Sequence, residues 1–80
     1  MNDNTILDRI ATLLDREHAV RQQRAEGLDA QTEREELRAA EVELDQCWDL
    51  LRQRRAQRDF DRDPDEATPR SAATVEGYWQ

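Results

Sequence analysis

Apolar residues recur at spacings of three and four in two blocks of this chain. In the first block Ile6, Ile10, Leu13, Leu14, Glu17, Val20, Arg21 and Arg24 fall on one face at about 100° per residue, the pattern of an amphipathic helix. Asn4 or Thr5 is placed to cap that helix, with Asp8 in its first turn. Gly27 is placed to end it, because glycine adopts the left-handed conformation of a helix C-terminus without steric cost. The prediction is a first helix over about 5–26. After Leu28-Asp29-Ala30-Gln31, Thr32 and Glu35 have the spacing of a capping box. A second stripe then reads Leu37, Ala40, Leu44, Cys47 with Trp48, Leu51 and Arg55, and leucines 37, 44 and 51 keep a strict seven-residue repeat. This predicts a second helix over about 32–59, with Pro64 blocking its extension.

So short a connection brings two helices back antiparallel. The expected fold class is therefore all-α: an antiparallel, coiled-coil-like two-helix hairpin over residues 1–60. Ile10 should meet Trp48, Leu14 should meet Leu44, and Glu17 should meet Glu41. The half of the hairpin near the termini is apolar and the half near the turn is charged. Residues 61–80 hold both prolines, several acids and no helical stripe, which predicts an extended or disordered tail. That tail ends in Tyr78 and Trp79, aromatic residues of the kind that anchor interfaces.

Composition changes the picture at one point. Charged residues make up 39% of the 80-residue chain and hydrophobic ones 36%. A lone hairpin with so few large apolar side chains is a marginal fold. Small scaffolds of this size add disulfides, metal or oligomerisation, and a single cysteine excludes an internal disulfide. The expectation is a homodimer forming a four-helix bundle, with Ile6, Ile10, Leu14, Leu37, Leu44, Trp48 and Leu51 as the dimer and core seam, and with another protein as a second class of partner. The net charge of −7 argues against nucleic acid and against anionic membranes, which attract cationic surfaces. No apolar run reaches the ~18 residues of a transmembrane helix, and the polar start Met1-Asn2-Asp3-Asn4-Thr5 lacks the pattern of a leader. The chain is therefore expected in the cytoplasm, with Cys47 reduced.

Candidate chemistry is sparse. Glu17, Arg21 and Glu41 lie on the inward stripe, where ion pairing within or between chains sets register at a cost in stability. Arg21, Arg24 and Arg52 offer an alternative: a regulator binding a nucleotide or other anion through arginines of the hairpin. All twelve basic residues are arginine. Glu17, His18 and Glu41 loosely resemble the carboxylate–histidine sets of bundle metal sites, but Asp15, which would complete the Glu-x-x-His spacing, points away from the stripe. Cys47 has no nearby base or cation to activate it. There is no nucleophile–base pair and no glycine-rich phosphate loop, so no catalytic, metal or cofactor residues are assigned.

The run Leu44-Asp45-Gln46-Cys47-Trp48-Asp49-Leu50-Leu51-Arg52-Gln53-Arg54-Arg55-Ala56, the ending Thr74-Val75-Glu76-Gly77-Tyr78, and Glu17-His18 together resemble a small actinobacterial family of unknown function, about 80 residues long. The resemblance covers essentially the whole chain. It implies a helical, cytoplasmic protein with no assigned activity.

Overall fold

The computed structural model describes residues 2–77. Among these there is no strand: two long helices, α1 (Asp3–Ala25) and α2 (Ala30–Asp59), are followed by a 3-10 turn (Pro64–Glu66) and a short helix α3 (Ala72–Gly77). The helix ends differ from expectation in an instructive way. Asn2, not Asn4 or Thr5, caps α1, and its side chain accepts from the Thr5 amide at 2.8 Å. Asp29, not Thr32, caps α2: its carboxylate accepts from the Thr32 amide and hydroxyl, each at 2.8 Å. In both cases an Asn or Asp side chain three residues upstream of the threonine accepts from an exposed first-turn amide, so each helix starts about two residues early.

Gly27 does end the first helix, with φ at 116°. Gly27 donates to the Arg24 carbonyl and Leu28 to that of Gln23, the paired closure of a Schellman motif. The same closure ends α2, with Asp61 in the left-handed position at φ 56°, Asp61 donating to Arg58 and Arg62 to Gln57. Asp63 then caps the 3-10 turn that Pro64 opens.

Helix α1 packs on α2 through Ile6, Ile10, Leu13, Glu17 and Val20, buried residues at alternating spacings of four and three. Ala40, Leu44 and Leu50 complete the core from α2, with Cys47, Leu51 and Ala67 packed against it. This alternation keeps one face of α1 turned toward α2. In each expected pairing, Ile10 with Trp48, Leu14 with Leu44 and Glu17 with Glu41, one member is buried and the other exposed. Leu13 rather than Leu14 points inward, and Leu14, Glu41 and Trp48 are exposed.

The segment after residue 61, expected to be extended or disordered, holds the 3-10 turn and α3 among its described residues. It runs back along α2 and is tied to it at successive points. Arg54 reaches Asp65 at 2.9 Å, Gln53 the Thr68 carbonyl at 2.9 Å, Gln46 the Arg70 carbonyl at 3.2 Å and Arg38 Glu76 at 2.8 Å. Val75 is fully buried. Polar side chains of α2 supply the hydrogen bonds that an extended segment would otherwise exchange with water. Tyr78 and Trp79 lie outside the described residues. The molecule measures 51 × 27 × 14 Å along its principal axes, so its thinnest dimension is close to one helix diameter of about 10–12 Å.

Candidate interaction surface

The two flanks of the hairpin follow from single-residue steps around each helix. Arg9 and Arg16 precede the inward Ile10 and Glu17, and Glu36 and Glu43 precede Leu37 and Leu44. These residues meet on one flank: Arg9 donates to Glu43, and Arg16 to Glu36 at 2.5 Å. Leu7 and Leu14 follow the inward Ile6 and Leu13, and Trp48 follows Cys47, so they emerge on the other flank. There Leu7 is 46% exposed, Leu14 52% and Trp48 45%. Leu37 and Leu51 lie half-buried in the seam beside them. Three large apolar side chains, each about half exposed on one side of two helices, make this flank a candidate interface.

Glu17 sits at the edge of this surface and is 8% exposed. Its nearest cation is Arg21, one turn along α1, at 3.6 Å. Arg21 is itself exposed, as are Glu41 and His18. Of the expected trio, Glu17 turns inward and lies within ion-pair distance of the exposed Arg21, while Glu41 is exposed. Among the described residues no three of His, Cys, Asp and Glu cluster closely enough to hold a metal. The arginines considered for an anion have acids at hand: Arg24 lies 4.0 Å from Glu33 and donates to the Leu28 carbonyl, and Arg52 lies 3.9 Å from Asp49.

Buried polar residues that the apolar pattern does not reveal are Asp49 and Arg54. Asp49 accepts from Gln53 at 2.9 Å and lies 3.5 Å from Arg70. Arg54 bridges three elements: its Nε donates to Asp3 at 2.5 Å, and its Nη1 to Asp65 and to the Pro64 carbonyl. The hydrogen bonds from Arg54 and then Arg58 hold the Asp3 carboxyl below its ordinary value. Arg9 does the same for Glu43, and the Thr32 amide for Asp29. Burial pushes the Cys47 thiol up, reinforced by the Glu43 charge, which makes it a poor nucleophile. The sequence signal for Arg54 is its position in the seam, three residues beyond Leu51, where an apolar side chain would be expected.

A family model described as "Protein of unknown function (DUF2630)" matches residues 2–80. The chain belongs to this family. It is 51% identical over 77 residues to the uncharacterised protein Mb0922c of Mycobacterium bovis and, equally, to the uncharacterised protein Rv0898c of Mycobacterium tuberculosis. Each alignment covers 95% of this chain and 88% of the relative. No solved structure matches. The resemblance carried by the helix-two motif is thereby shown, in mycobacterial relatives and over nearly the whole chain. No described helix is long and apolar enough to cross a membrane.

Proposed function

We propose that this DUF2630 chain is a non-enzymatic interaction module that acts as a homodimer, two hairpins packing through the Leu7–Leu14–Trp48 flank into a four-helix bundle. The observation that carries this reading is the exposure of these three side chains on a single flank. Shape supports it: domains close a core between at least two layers, and this molecule is one helix thick. Burying the flank against its own copy adds the missing layer and gives the half-buried Leu37 and Leu51 a dry environment. Chemistry supports it too. The arginines considered for an anion lie beside acids of the same chain, so the anion-binding alternative has no unpaired cationic cluster behind it.

The test uses Leu14→Glu and Trp48→Glu, substitutions at positions exposed in the monomer. Both variants should keep the helical circular-dichroism spectrum. In light scattering they should run as monomers of 9.4 kDa, while the unsubstituted chain runs as a dimer. Dimers that persist in both variants would refute this interface.

A further inference from the structure

The flank opposite Leu14 is concave. The Arg9–Glu43 and Arg16–Glu36 ion pairs cross the furrow between α1 and α2 there. Pro69, in the segment returning along α2, walls the end near the termini. Between Pro69 and the first ion pair lies a cavity of about 320 Å³, open on one side. Its floor is apolar, made by Ile6, Cys47 and Leu50, and its polar groups, Thr5, Arg9, Glu43 and Gln46, stand around it. A partner helix does not fit a furrow bridged twice by ion pairs. A small molecule does. At about 30 Å³ per liquid water the space equals roughly ten waters, room for a ligand of about ten non-hydrogen atoms at the small end of known binding cavities.

The rim selects the polar part of such a ligand. The Thr5 hydroxyl is used by Asn2, and the Gln46 amide donates to the Arg70 carbonyl. Arg9 gives Glu43 its Nε alone, and its terminal guanidinium nitrogens donate to no group among the described residues. Beside the second N–H of the Gln46 amide, they are the side-chain donors left at the mouth, and they alone carry charge. Glu43 beside them disfavours a second full negative charge but not a neutral acceptor. We propose that this cavity binds a small, mostly apolar carbonyl compound, its hydrocarbon part on Ile6, Cys47 and Leu50 and its carbonyl oxygen accepting from Arg9. This site lies on the face opposite the dimer surface and does not depend on self-association.

The test is a titration of the isotopically labelled full chain with octanamide and, separately, octanoate, probes of matching size and different charge. Saturable amide shifts are expected at Ile6, Gln46, Cys47 and Leu50, with octanamide the tighter ligand. Saturating octanamide should slow alkylation of Cys47 by iodoacetamide. Cys47→Phe, which fills the cavity, should abolish binding. Arg9→Gln, a surface change that leaves the fold intact, should weaken octanamide about five-fold, the equivalent of one hydrogen bond. Absence of saturable shifts at these residues overturns the proposal, as do shifts confined to Leu7, Leu14 and Trp48. Tighter binding of octanoate, or unchanged affinity in Arg9→Gln, overturns the assigned ligand chemistry.

Discussion

Leu13 and Leu14 are adjacent, chemically identical and oppositely placed, so their truncation to alanine separates the inner seam from the outer flank. Leu13 is 5% exposed and belongs to the core cluster, whereas Leu14 is 52% exposed. Leucine-to-alanine changes in a core cost about 2–5 kcal/mol, from lost transfer free energy plus the cavity left behind. Helix α1 has only α2 behind it and can settle partly into the gap, which places Leu13→Ala near the lower end, about 2–3 kcal/mol. Leu14→Ala removes atoms that are half in water already and should cost about 1 kcal/mol or less. The whole domain has roughly 4–12 kcal/mol at ordinary stabilities per residue, so the first change consumes a large share of it and the second does not. Urea unfolding followed by circular dichroism at a few micromolar reads the monomer contribution. Repeated at several hundred micromolar, the cost of Leu14→Ala should rise toward that of Leu13→Ala, because the proposed dimer would bury Leu14. Equal costs for the two variants at the low concentration would refute the inward placement of Leu13 and the outward placement of Leu14.

Glu17→Leu should raise stability by about 1 kcal/mol, since it puts an apolar side chain at a position 8% exposed in the seam at nearly equal helix propensity; a lower urea midpoint would show that the Glu17–Arg21 pair is a needed contact. Gly27→Ala should lower stability by about 1 kcal/mol through backbone strain alone, because φ is 116° and nothing lies within 4 Å of an added β-carbon. Acid should destabilise the fold in a defined window. Asp3, Asp29 and Glu43 are held below their ordinary values of 3.8, 3.8 and 4.5. The stability they contribute is fully present above those ordinary values and is lost as pH falls through the lower folded-state ones. Thermal midpoints should be level between about pH 7 and 5 and fall below about 4.5, less steeply in Asp3→Asn; an unchanged slope in that variant would remove Asp3 from the account.

Much of this architecture is legible in the sequence because helix periodicity and Gly27 are strong local signals. Ile6, Ile10 and Leu44 sit inside as the three-and-four spacing requires. The errors come where that spacing is degenerate. Leu13 with Leu14, and Cys47 with Trp48, are adjacent residues that both satisfy an apolar stripe, and periodicity does not resolve one step of about 100° between them. The caps shifted because Asn2 and Asp29 are equally good capping residues three positions upstream, and they accept from the Thr5 and Thr32 amides themselves. The returning segment was hidden for a different reason. Its anchors are polar side chains of α2, namely Arg38, Gln46, Gln53 and Arg54, bonded to carbonyls and acids some 10–38 residues away, and hydrophobic patterning carries no record of such bonds. Asp61 ends α2 in the left-handed role usually read from glycine. The cavity beside Cys47 depends on Pro69 coming back across α2, so it too is invisible until the chain is folded.

Self-association through the uncovered flank is the central claim, and sedimentation equilibrium of the unsubstituted chain tests it most directly. The predicted result is a concentration-dependent mass rising from 9.4 kDa to twice that value and no further. Association should tighten as salt is added, because two chains of charge −7 repel one another less when screened. A well-folded species that keeps the monomer mass at several hundred micromolar and high salt would contradict the claim.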